Sequence, residues 1–166
     1  MEKTALGRGK GELKKVLWGW VLLGVLGAAL LVLLGAGLFF FRFSMVRGKR
    51  RQQEEEFLKK GTIWHPFRQR MEEAQAFIRS HTQEKVGLRS RDGLQLTALY
   101  LPAPGESRGT ILAFHGYRSL ATVDFALEVE FFHTLGYDVL LPYQRSHGLS
   151  QGKYITYGVK ERFDCC

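Results

Sequence analysis

Between Lys15 and Arg42 the chain runs for 26 residues, VLWGWVLLGVLGAALLVLLGAGLFFF, without a charged side chain. No helical or strand period is visible in this run, because almost every position is apolar. As a helix rising about 1.5 Å per residue it reaches ~39 Å, more than the ~30 Å of hydrocarbon in a bilayer. It is also longer than the 7–15-residue apolar core of a cleaved leader, and no A-x-A-like site follows it. The pattern therefore predicts a single membrane-spanning helix over 16–41, preceded by a basic tail at 1–15. Trp18 and Trp20 lie near one end, where an interfacial belt places them. Gly24 and Ala28 have helix-dimer spacing, which is common in membrane spans and decides nothing about assembly.

After the span the alternation changes three times. RGKRRQQEEEFLKKG is charged in blocks and poor in apolar residues, which predicts a solvated connector over 42–63. Over 64–83, Phe67, Met71, Ala74 and Ile78 recur at helical spacing behind Pro66, predicting an amphipathic helix that packs on the domain C-terminal to it. From Glu84 the period becomes two. VGLRS, the turn Arg91-Asp92-Gly93 and LQLTALYLP predict a hairpin, with Leu94, Leu96, Ala98 and Tyr100 alternating against Gln95, Thr97 and Leu99. TILAFHG at 110–116 and DVLLP at 138–142 are short apolar runs expected as buried strands. Between them Phe125, Val129 and Phe132 predict a helix over about 122–135, stopped by Gly136. The order hairpin, strand, helix, strand implies an α/β domain over 84–166 whose last two strands are parallel and joined by a right-handed crossover.

Charge sharpens this division. The formal net charge is +8. Residues 1–60 carry twelve Lys/Arg against five acids, whereas residues 61–166 carry twelve against eleven. The basicity therefore flanks the span, where RGKRRQ at 47–52 is placed to meet anionic headgroups at about 1 kcal/mol per cation. The nearly neutral folded part excludes a nucleic-acid-binding face. Five Lys/Arg before the span against seven after it leave the side of the membrane open. The two cysteines, Cys165 and Cys166, are adjacent and form no disulfide framework. None of the five histidines has metal-ligand spacing, and no cofactor or metal is expected. His65, His81 and His133 are expected as partly exposed residues at helix edges, and His115 and His147 as hydrogen-bonded residues of turns.

The run ILAF ending in His115-Gly116-Tyr117, followed by VLLP and QRSHGLSQGKYITYGVKERFD, resembles the N-terminal part of the α/β-hydrolase superfamily. The likeness is greatest to its bacterial membrane-anchored, serine-aminopeptidase-like and lipase-like members, and covers about residues 84–166. The resemblance implies that the backbone N–H of Tyr117, in a turn formed with His115 and Gly116, donates to an oxyanion hole. Fixed amides there stabilise the negative oxygen of an acyl-transfer intermediate by about 2.7–4 kcal/mol per donor. Gly148-Leu149-Ser150-Gln151-Gly152 matches the G-x-S-x-G string of a nucleophile elbow only formally. An elbow needs a strand directly before the serine and a helix directly after it, and VLLP stops well short of Ser150. The resemblance further implies that nucleophile, acid and base lie outside this sequence, so that the chain is expected to be a fragment, inactive alone, ending inside the helix after the fourth strand with a sheet edge uncovered. Two functions remain open: a membrane-anchored serine hydrolase acting on esters, amides or peptides, or a non-catalytic, membrane-tethered module that binds anionic lipid and a partner.

Overall fold

The computed structural model describes residues 3–48 and 65–165, and the chain divides into two compact units, Met1–Ser44 and Met45–Cys166. The first unit is one helix, α1 (Lys3–Met45, which ends just inside the second unit). It includes the basic residues before the apolar run and Arg42 after it, and it ends before Arg47. Its side chains from Leu13 onward stand exposed on every side, Leu31 and Trp18 each by 71%. A helix apolar all round has no solvent face to offer water, and α1 is long and apolar enough to cross a membrane. Of the expected connector, residues 49–63 lie outside the described residues.

The second unit is a four-stranded sheet with helices on one face. A 3-10 turn (His65–Phe67) leads into α2 (Arg68–His81), then come the hairpin β1 (Glu84–Arg89) and β2 (Gln95–Leu101), β3 (Thr110–Leu112), α3 (Ala121–Asp124), α4 (Ala126–Thr134) and β4 (Asp138–Tyr143). The strand order is β1-β2-β4-β3, with β1/β2 and β2/β4 antiparallel and β3/β4 parallel. Helical spacing puts Met71, Ala74 and Ile78 of α2 into the core, where they meet Leu99 and Leu101 of β2, Val129 of α4 and Val139 and Leu141 of β4. Phe67, expected on the same stripe, stays outside on the 3-10 turn.

Four expectations need correction. The core lies on the Leu99–Leu101 side of β2, yet Leu96 and Ala98 are buried as well. Leu96 and Ala98 lie on the opposite face of the sheet, among the apolar side chains of β1 and β4, so both rows of β2 hold buried apolar residues and alternation in sequence does not name the inner one. TILAFHG is not a fully buried strand: β3 is Thr110–Leu112 at the sheet edge, extended by one bond from Ala113, and Leu112 is 52% exposed. The helix over 122–135 is two helices broken at Phe125 (φ −115°, ψ 17°). Finally, the residues after β4 form turns and a single 3-10 turn (Glu161–Phe163) instead of a helix.

With the helices on one side, the other face of the sheet is an apolar groove of about 270 Å³. Val86, Leu88, Leu112, Phe114, Leu140 and Pro142 line it, and Glu161 and Asp164 stand at its margin.

Candidate functional site

β3 points its C-terminal end at the turn His115–Arg118. Ala113 still donates to Leu140 O of β4 at 3.0 Å, and there the pairing ends. His115 is 5% exposed, and both ring nitrogens are used. Its Nε2 accepts the Gln144 N–H at 3.2 Å, which leaves Nδ1–H to donate to Gly116 O at 2.9 Å. The Gln144 side-chain amide donates in turn to His115 O. Burial holds the imidazole below its ordinary pKa, against smaller opposing effects of the Gly116 carbonyl and Asp124. A neutral ring bonded at both nitrogens is a strut and not a proton carrier.

Asp124 fixes the turn from the opposite side. Its carboxylate accepts the Gly116 N–H at 2.7 Å and the Ser119 hydroxyl at 2.5 Å. Ser119 N also closes onto Gly116 O at 3.3 Å. Arg118 takes a left-handed backbone (φ 57°), a conformation that costs a non-glycine residue energy and persists only where surrounding bonds over-determine it. At the apex Tyr117 lies half-exposed, its ring stacked on Tyr157 at 5.1 Å and 21°. The arrangement fixes the main chain of a turn at the end of a parallel strand from two elements, Asp124 on one side and Gln144 on the other. Fixed backbone is the kind of scaffold on which charge can be stabilised without reorganisation.

The loop after β4 has a different character. Arg145, 3% exposed, is held between two carboxylates: Nε and Nη2 donate to Asp164 at 2.7 and 2.6 Å, and Nη1 donates to Asp92 at 2.9 Å. The guanidinium hydrogen bonds, with help from Ser90, keep the Asp92 carboxyl far below the usual carboxylate range. Ser150 is 0% exposed, and its hydroxyl joins two strands by accepting Thr97 N–H at 2.9 Å and donating to Tyr143 O. The glycines of the G-L-S-Q-G string are explained by packing. A Cβ on Gly148 (φ 47°) would lie 2.0 Å from the Tyr143 ring, and one on Gly152 (φ 124°) would lie 2.8 Å from Ser146 N.

His147 is buried at 3% and stacks edge-on against His115 at 4.7 Å. Its Nδ1–H donates to Arg145 O at 3.0 Å, while Nε2 has no partner among the described residues. Burial, and secondarily the neighbouring His115, lowers its pKa to about 4. His133, expected at the surface, is 8% exposed and packs against Phe77 and His81. Among the described residues no three His, Cys, Asp or Glu side chains come together as a metal site.

The sequence-predicted turn residues His115, Gly116 and Tyr117 thus sit together at one strand end, apart in role from Ser150. Sequence reasoning missed Asp124 and Gln144. An acid at the start of an expected helix was a usable signal for the first, whereas nothing local marks Gln144. It also missed Arg47. Its guanidinium donates to Gly148 O at 2.6 Å and Ser150 O at 2.8 Å, so this cation of the basic flank is committed to main-chain carbonyls.

No family model and no curated protein matches the chain. Among solved structures it is similar to the esterase Pf2001 of Pyrococcus furiosus, at 31% identity over 49% of this chain and 31% of that one, with a TM-score of 0.43. It is also similar to DcsB in complex with its substrate analogue, at 19% identity over 49% and 28% of the two chains, TM-score 0.44. A third is the alpha/beta hydrolase GrgF from Penicillium sp. sh18, at 25% identity over 42% and 24%, TM-score 0.37. The chain spans less than a third of the length of each of these.

Proposed function

We propose that this chain is the anchor and N-terminal part of a membrane-bound serine hydrolase of esters, amides or peptides, with α1 crossing the cell membrane and Tyr117 N–H serving the oxyanion hole. The observation that carries the reading is the braced turn at the end of β3. Asp124 and Gln144 hold its backbone from two sides, and buried neutral His115 supports it from within. Bracing from two elements fixes the apex backbone, as an oxyanion donor needs, and the left-handed Arg118, a backbone state shared here with Ser146 and Tyr157, fits a turn held in one conformation. The reading requires a nucleophile, acid and base from residues outside those described, because Ser150 is consumed in joining β2 to β4.

A fluorophosphonate probe tests it. The complete gene product in membranes should be labelled and should stay in the pellet on alkaline carbonate extraction, whereas the 166-residue chain should take no label. A complete product that stays unlabelled favours the non-catalytic tethered module. Labelling of the 166 residues that Ser150→Ala abolishes would overturn the role given to Ser150.

A further inference from the structure

The residues directly after the apolar helix do not lead away from the second unit but pair with it. Ile155 N donates to Met45 O at 2.7 Å, Val46 forms a β-bridge with Tyr154, and Arg47 N donates to Lys153 O at 2.9 Å. Arg118, the residue after Tyr117, donates to Val46 O at 3.1 Å. Val46 is therefore tied both to the oxyanion turn and to the segment 153–155.

Chain connectivity limits how far this point can lie from the bilayer. Phe41 is the last residue of the uncharged run, and the helix continues to Met45. Four helical residues cover about 6 Å, close to the roughly 5–8 Å thickness of one headgroup layer. If α1 spans, Val46 lies at the headgroup boundary whatever the angle between the units.

The surface around Val46 has the composition that such a position selects. Tyr117, Tyr154 and Tyr157 are exposed at 49, 42 and 57%, and Val159, two residues after Tyr157 along the chain, at 64%. Two cations are interleaved with them: the Arg118 guanidinium lies 5.8 Å from the Tyr117 ring, and Lys153 Nζ lies 5.4 Å from the Tyr154 ring. Amphipathic aromatic rings settle at headgroup level, and each nearby Lys or Arg gains about 1 kcal/mol from anionic lipid.

We infer that the face carrying Tyr117, Tyr154 and Tyr157 with Arg118 and Lys153 rests on the headgroups of the membrane that holds α1. The oxyanion turn then works at the lipid surface, and its substrate class is an acyl ester presented by the bilayer. The ester class rests on the hydrolase reading, whereas the membrane face does not.

The test has two arms. In the first, the 166-residue chain with Cys165→Ser and Cys166→Ser is reconstituted into phosphatidylcholine–phosphatidylglycerol vesicles, with a nitroxide on Val159→Cys. A second sample carries the nitroxide on Glu106→Cys, in the loop entering the opposite end of β3. Accessibility to a water-soluble nickel chelate should be several-fold lower at 159 than at 106. Lys153→Glu should raise it at 159 in these vesicles and not in pure phosphatidylcholine. Equal accessibility at the two positions would overturn the membrane face.

In the second arm, the complete gene product receives a ten-residue Gly/Ser insert between Ser44 and Met45, which lengthens the tether by about 17 Å. Hydrolysis of a long-chain ester in the same vesicles should fall about tenfold while a soluble short-chain ester is turned over as before. An unchanged ratio of the two rates would overturn the substrate class. Absence of both activities without the insert would overturn the hydrolase reading, and the nickel arm still judges the membrane face.

Discussion

Two turns follow the two parallel strands of this domain, and both spell strings associated with catalysis. The turn after β3, His115 to Arg118, keeps its apex at the surface and spends its side chains on bracing the backbone. The loop after β4, Gly148 to Gly152, is drawn inward, so that Ser150 bonds two strands and Arg47 takes up its carbonyls. The difference lies in burial: the first turn keeps its apex residue half-exposed, whereas the Ser150 hydroxyl is a buried strand tie. A short string therefore acquires chemical meaning only from the burial of its atoms.

The largest effect that would break this contrast is kinetic. In the complete gene product, Tyr117→Pro removes the amide donor and is expected to lower kcat by about 10²–10³, the usual loss for one oxyanion-hole bond. Tyr117→Phe, which keeps the amide, should stay within a few-fold. Thermal melting must first show that the Pro variant folds, since proline also restricts Gly116. Wild-type turnover in a folded Pro variant, or a dead Phe variant, would place the donor elsewhere.

A smaller effect belongs to the other turn. Ser150→Ala leaves the half-buried Thr97 N–H without its acceptor, and the expected cost is about 1 kcal/mol of stability, or several degrees in Tm. Calorimetry of the chain checks this, and an unchanged Tm would show that the serine is not the tie described.

The smallest expected effect is a slope. Folded His147 titrates at about 4 against an ordinary 6.5, so between these values the unfolded chain binds the proton and the native one does not. The stabilisation from a neutral His147 is fully present above about pH 6.5 and is lost as pH falls towards 4. The groups acting on it are His115, Arg145, Arg47 and Glu161. His147→Gln should flatten the dependence of Tm on pH across that window, and a slope equal to wild type would assign the titration to another group.

Local chemistry was legible in the sequence, and partners distant along the chain were not. Met71, Ala74 and Ile78 announced their helix face because a period of 3.6 is a property of neighbours. Asp92-Gly93 announced its turn for the same reason, and Gly93 takes φ 85°. The break at Phe125 was hidden, because Asp124 beside it reaches back to Gly116 and Ser119, a choice that helix propensity at 122–135 does not encode. Arg47 read as one more cation of a basic run, and only folding shows it bonded to carbonyls a hundred residues away. Of the candidate turn, its place at a strand end was legible, and its bracing through Gln144 was not.

The strand β3 bears on handling the protein. It lies at the sheet edge with Leu112 exposed, and Phe114 beyond it is 40% exposed on the way to the turn. Unpaired main-chain groups beside exposed apolar side chains form a template onto which another extended segment can add. On that ground the second unit is expected to associate through β3 as its concentration rises, which light scattering over a dilution series checks. Detergent that shields α1 does nothing for that edge, so dilution and low temperature during purification matter as much as the choice of surfactant.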